Sequence, residues 1–212
     1  MARALAVFDF DGTLIPGDSI VSFVNYARKK GAMPGKEYRR VLFATVKYLL
    51  GGMTDGQIKA RSLRFLRGLS PEARETLAAD FVREALLPKV YARGLEAIEE
   101  NRRAGRIMLL VSASTRNYMQ FVSDALGFDA LLCTELEADF TVRANCKGQE
   151  KARRVEAWLK QSGIQADWAA SRAYGDSPSD APVLRLCGHP VLVNPKKALR
   201  RAMPEADEAA WR

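Results

Sequence analysis

The chain reads as an α/β protein: a parallel sheet with helices on both faces, plus a helical bundle inserted after the first strand. Three observations point to it. Short continuous apolar runs recur along the chain, amphipathic helical stripes separate most of them, and one long stretch carries helical stripes with no strand between. With 212 residues, of which 48% are hydrophobic and 27% charged, the chain has the composition of one or two globular domains. That length suffices to bury a substantial core.

The first element is the run 4–8, Ala-Leu-Ala-Val-Phe, a buried parallel strand that ends directly in carboxylates. Residues 16–87 then hold four helical stripes, at 20–27, 38–49, 58–69 and 77–86, divided by glycine turns at 31–35 and 51–52 and by Ser70-Pro71. Ser70 is a capping residue and Pro71 fits the first turn of the helix that follows. These four helices are expected to form a module of their own, so that residues 1–15 and 88–212 make a discontinuous sheet domain. Further strands are expected at 107–111, 130–133 and 191–193, with a weaker one at 173–174. Helices carry the stripes Tyr118, Phe121, Val122, Ala125, Leu126 and Ala152, Val155, Trp158, Leu159. Between them, Leu136, Ala138, Phe140, Val142 and Ala144 alternate with polar residues, which predicts a β-hairpin turning near Asp139. The acidic tail, residues 205–208, is expected to fray.

Composition excludes several chemistries. One histidine, His189, rules out a three-histidine zinc site. It reads as a turn residue before the last strand. Three cysteines, Cys133, Cys146 and Cys187, form no C-x-x-C pair, which fits a reducing compartment and a cytoplasmic location. The most lipid-like stretch, 41–50, contains Lys47 and is half the length a membrane span needs. The net charge is +8, and residues 16–87 alone carry +6, which reads either as solvated helix faces or as attraction of an anionic substrate or peripheral contact with an anionic membrane. No aromatic residues interleave with the basic runs and no recognition motif is present, so nucleic acid is not an expected partner.

The chemistry lies at the strand ends. Asp9-Phe10-Asp11-Gly12-Thr13 follows the first strand, where ligands of open α/β sheets bind. A spacing of two puts both carboxylates on one side of the chain and turns Phe10 into the core. Two unit charges ~4 Å apart repel by roughly 4 kcal/mol at an effective dielectric of 20, so a cation is the natural remedy, and oxygen donors suit magnesium. The EF-hand pattern fails, because Leu14 and Ile20 stand where glycine and glutamate are required. A second acidic cluster, Gly175-Asp176-Ser177-Pro178-Ser179-Asp180, follows the 173–174 strand and can converge on the first. Ser112, at the end of the 107–111 strand, is expected to open the next helix and offer its hydroxyl to a phosphate oxygen. Lys151 begins the helix bearing Val155 and Trp158, with Lys147 as a competing lysine.

In this order, Asp9-Phe10-Asp11-Gly12-Thr13, Ser112, Lys151 and Gly175-Asp176-Ser177 with Asp180 resemble the haloacid-dehalogenase-like superfamily, specifically its phosphoserine-phosphatase-like branch. Residues 145–151 are similar to that branch's third motif, which favours Lys151 over Lys147. The resemblance implies a Rossmann-like core, a helical cap formed by residues 16–87, and a magnesium-dependent phosphomonoesterase. Asp9 would be the nucleophile that becomes an aspartyl-phosphate and Asp11 the acid–base. Magnesium would be held by Asp9, Asp11 and Asp176, with Asp180 a positioning acid. Gly12, Thr13, Ser112, Ala113 and Lys151 would cradle the phosphate. The cap residues nearest the branch's substrate-reading glutamate and arginine are Asp18 and Arg61, and the shorter acid departs from the phosphoserine pattern. The implied substrate is a small organic phosphate. A phospholipid headgroup like phosphatidylglycerophosphate, or phosphoryl transfer by a mutase on the same fold, is the alternative. A phospho-receiver domain is too short to account for the helical insert or the paired acid.

Overall fold

The computed structural model describes residues 2–211. Six parallel strands, β1 (Leu5–Phe8), β2 (Ile107–Thr115), β3 (Ala130–Thr134), β4 (Arg172–Gly175), β5 (His189–Val193) and β6 (Asp207–Ala209), form one sheet in the order β3-β2-β1-β4-β5-β6. The chain starts in the middle, builds outward through β2 and β3, then returns to the other side of β1 to lay down β4, β5 and β6. The order reverses between β1 and β4, and the crevice beyond their carboxyl ends is where such a sheet takes its ligand.

Helices α1 (Ser19–Lys29), α2 (Gly35–Leu49), α3 (Asp55–Leu63) and α4 (Pro71–Phe81) follow β1. The rest, α5 (Ala92–Arg103), α6 (Arg116–Leu126), α7 (Gln149–Ser162), α8 (Ala181–Leu184) and α9 (Lys197–Ala202), alternate with the remaining strands. Ser70 caps α4 as its sequence implies, its hydroxyl accepting the Ala73 N–H with Pro71 in the first turn.

Alternation along β1 builds a core on each face of the sheet. Leu5 and Val7 pack with Leu109, Val111, Val155 and Leu159. Ala6 and Phe8 pack with Met108, Leu110 and Tyr174 on the other side, where the core continues into the inserted helices. Phe23 of α1, Phe81 of α4 and Tyr118 of α6 form an aromatic triangle with ring centroids 4.9, 5.2 and 5.5 Å apart. Thus α1 and α4 are anchored on the sheet side. By contrast α2 buries only Val41.

Five features differ from the sequence reading. Residues 136–144 form no hairpin. Glu137 and Thr141 share a single turn bond, Phe140 adopts a positive φ of 60°, and its ring lies under the Arg74 guanidinium. A lone two-stranded ribbon is marginal in water, and Leu136 and Phe140 pack against the core instead, with Ala138 exposed. The acidic tail is ordered as β6 because buried Trp211 anchors it, its backbone bonded at both N–H and C=O to the Asn194 side chain. The β2 strand runs on to Thr115, so Ser112 lies within the strand and Arg116 opens the helix. His189 is the exposed first residue of β5. The helix α5, too charged to show a clear stripe, turns only Gly94, Ala97, Ile98 and Asn101 inward.

Candidate active site

Asp9 extends β1 by one residue, its N–H bonded to the Tyr174 carbonyl of β4 at 3.0 Å. This bond fixes the first carboxylate beside the strand that delivers Asp176. The chain then turns at Gly12, whose φ is +83°. A Cβ there would lie 2.5 Å from Asp176 Oδ2, so only glycine lets the backbone pass this close to the second acidic cluster.

Lys151, on the first turn of α7, is 1% exposed, and its Nζ donates to Asp9 Oδ1 at 2.5 Å and to Asp180 Oδ1 at 2.6 Å. Thr13 Oγ1 donates to Asp9 Oδ2 at 2.9 Å. Asp180 is pinned from its other side, Oδ2 accepting the Ser177 N–H and hydroxyl. Lys147 instead pairs with Asp55 of α3 at 2.6 Å, at the edge of the inserted helices.

Asp11 is held by hydroxyls. Its Oδ2 accepts Ser114 Oγ at 2.5 Å and Ser19 Oγ at 3.0 Å, while Oδ1 accepts the Ser19 N–H at 2.8 Å. Tyr118 Oη completes the cluster 3.0 Å from Ser19 Oγ. Burial pushes Asp9 up to about 7, helped by the charge of Asp180 and opposed by Lys151. Burial also pushes Asp11 up to about 6, helped by Asp18 and opposed by the bonds from Ser114 and Ser19. Burial would raise Asp180 too, but Lys151 and Ser177 overcome it and hold that carboxyl below its ordinary range.

The remaining predicted positions divide. Asp18 lines the cavity and caps α1, its Oδ1 accepting the Ile20 and Val21 N–H groups. Ala113 also lines it. Ser112 is fully buried in β2, its Oγ accepting the Ser114 N–H at 3.0 Å. Arg61 does not join the group. It pairs with Glu37 at 3.1 Å and borders a separate basic hollow with Arg64 and Arg67. From the inserted helices, Lys59 of α3 does reach the site, donating to the Ala113 carbonyl at 2.5 Å and to the Asn145 side chain. Burial lowers Lys59 to about 8. Lys196, after β5, meets Asp176 Oδ2 at 2.7 Å. Neither lysine, nor Ser19, Ser114 or Tyr118, announces itself in the sequence, although Ser114 sits two residues past the serine singled out there.

These groups surround a cavity of about 530 Å3 with carboxylates at its floor and Ile20, Val24, Leu42, Leu49 and Ile58 on the wall formed by the inserted helices. The donor set fits a hard divalent cation. One carboxylate oxygen from each of Asp9, Asp176 and Asp180 lies within 4.8 Å of the others. With Asp11 that makes four buried or half-buried carboxyls against two contacting ammonium groups, an excess of negative charge that an oxygen-seeking cation would balance. Asp9 and Asp180 each have both oxygens engaged, Asp9 by Lys151 and Thr13 and Asp180 by Lys151 and Ser177. A cation bound at Asp9 and Asp176 would therefore compete with Lys151, Thr13 and Lys196 for those carboxylates.

Residues 6–185 match the haloacid dehalogenase-like hydrolase family, and the chain belongs to it. Within that family it is a phosphatase-type hydrolase, related in architecture to phosphoserine phosphatases. It is 28% identical over 220 residues to a histidinol-phosphatase of Neisseria meningitidis, covering 99% of this chain and 97% of the relative. It is equally 28% identical, over 218 residues, to a phosphoserine phosphatase of Mycobacterium tuberculosis, covering 98% and 69%. Among solved structures, a Bordetella pertussis protein of unknown function superposes with a TM-score of 0.88 at 24% identity over 98% of both chains. A phosphoserine phosphatase carrying a phospho-aspartyl intermediate analogue superposes with a TM-score of 0.64 at 20% identity, covering 98% and 93%.

Proposed function

We propose that the chain is a magnesium-dependent phosphomonoesterase that hydrolyses a small organic phosphate through an aspartyl-phosphate at Asp9. The observation that carries this is the unequal treatment of two neighbouring carboxyls: Asp9 is oriented by a lysine and Asp11 by neutral hydroxyls. Burial lifts both carboxyls, Asp9 to about 7 and Asp11 to about 6, so the assignment rests on their partners. The ammonium beside Asp9, with a bound cation, would favour its ionised form as nucleophile, and Asp11 among neutral donors can carry the proton.

An Asp9 oxygen attacks phosphorus in line, and the bond from phosphorus to the ester oxygen breaks. Asp11 gives its proton to the departing alcohol. The resulting carboxylate then takes a proton from the water that attacks the phosphorus, and cleavage of the bond to Asp9 releases inorganic phosphate. Asp9, Asp176 and the Asp11 carbonyl would hold magnesium, which would neutralise the charge that a phosphate dianion brings to these carboxylates. Lys151 holds Asp9 in place and offers positive charge to the phosphoryl oxygens, with Asp180 positioning the lysine. The loop at Gly12 and Thr13 and the β2 segment Ser112–Ala113 line the phosphate's approach. On the cap side, Lys59 and Asp18 are the polar groups that would read the alcohol, whereas Arg61 is paired with Glu37 away from the cavity.

The relatives named for histidinol phosphate and phosphoserine make both compounds first substrates to try. The apolar cap wall favours a second reading, a phosphate monoester with a hydrocarbon portion such as a lipid headgroup phosphate. The deciding experiment is magnesium-dependent release of inorganic phosphate from an aryl phosphate and from this panel, with Asp9→Asn alongside. Turnover that needs magnesium and falls to the buffer level in Asp9→Asn is expected. Isomerised product without phosphate release would assign a mutase instead.

A further inference from the structure

The second inserted helix presents its apolar side outward. Leu42, Phe43, Val46 and Leu49 of α2, with Leu50 just beyond it, recur at the spacing of one helix face, and all five are exposed. Phe43 is 80% and Leu50 81% exposed. A helix of a water-soluble bundle turns such a stripe into the core, whereas α2 buries only Val41. A contiguous exposed apolar face marks a surface that something covers.

Charge says what covers it. Lys36, Arg39, Arg40 and Lys47 flank the face and are all exposed. Within α2, residues 35–49, these four stand against Glu37, an excess of +3 on one helix. A second copy would bring the same basic rim against itself. An anionic lipid surface meets both features, taking the apolar side chains below its headgroups and the basic ones among them. Leu42 and Leu49 also line the mouth of the active-site cavity, so the apolar face runs without a break into the site.

We propose that α2 is an interfacial helix that seats this protein on an anionic bilayer, with the cavity mouth at headgroup level. The inference does not depend on the phosphatase reading, because lipid binding is measured without turnover. The test is co-sedimentation of the full chain with vesicles of equimolar phosphatidylcholine and phosphatidylglycerol, compared with pure phosphatidylcholine. Binding to the anionic vesicles, about tenfold weaker on the neutral ones and weakened by salt, is expected. Phe43→Ser with Leu50→Ser should reduce it about tenfold or more, with the thermal unfolding curve unchanged because both residues are exposed. Lys36→Glu with Arg39→Glu serves as the second variant and should abolish the anionic preference. Absence of binding, equal binding to both vesicles, or binding that survives both variants overturns the proposal. A wild-type dimer that the serine variant splits, with no lipid binding, assigns the face to a second copy and likewise overturns it.

Discussion

Asp9 and Asp11 stand two residues apart and are held differently, the first by an ammonium together with the Thr13 hydroxyl, the second by neutral donors alone, the Ser114 and Ser19 hydroxyls and the Ser19 N–H. Because both are raised, to about 7 and about 6, the folded chain binds more protons than the unfolded chain between the ordinary aspartate pKa and those values. Stability contributed by these two groups therefore falls as pH rises through that window. The metal-free protein should unfold at a higher temperature near about pH 5.5 than near about pH 8, and Asp9→Asn should flatten the difference; scanning calorimetry reads both. Ser114→Ala removes a hydrogen bond that favours ionised Asp11. Such bonds are worth about 1.5–3 kcal/mol, so the alkaline limb of kcat should move up by about one pH unit or more.

Individual elements carry the site by how they begin and what they touch. The turn after β1 accepts only glycine at residue 12, where positive φ coincides with close approach to Asp176. Gly12→Ala should therefore lose activity by displacing Asp176, at a backbone cost of about 1–3 kcal/mol seen in denaturant unfolding. Helix α3 brings Lys59 to the Ala113 carbonyl from the opposite wall. Lys59→Met should raise KM for a charged substrate about tenfold, the equivalent of about 1.4 kcal/mol, while kcat changes less. Helix α1 is tied to α4 and α6 through Phe23, and Phe23→Ala should cost about 3–5 kcal/mol.

On the scale of the whole molecule, the sheet order is what makes one site from distant segments. Reversal between β1 and β4 sets Asp9 beside Asp176, while α7 and the inserted helices close over them with lysines. Among the described residues no helix is long and apolar enough to cross a membrane. The excess carboxylate charge at the sheet's crevice predicts stabilisation by magnesium. At a hundredfold excess over Kd the gain is about 2.7 kcal/mol, which at about 2–4 °C per kcal/mol raises Tm by about 5–10 °C. Asp176→Asn should remove most of that rise.

By itself the sequence determined the features that local pattern can encode. These were the buried strand 4–8 with its acid pair, the second acidic cluster, the α/β alternation and the Ser70-Pro71 helix start. Each depends on residues within a few positions of one another. Tertiary structure decided what depends on distant partners. Ser19 and Ser114 converge on Asp11 from 8 and 103 residues away, and Lys59 reaches Ala113 across 54. It also sent Arg61 to Glu37 and ordered the acidic tail as β6 through Trp211. The outward face of α2 is the clearest case. Periodicity says that a helix has an apolar side, but which way that side points depends on where neighbouring helices leave room, and no spacing within 35–49 records that.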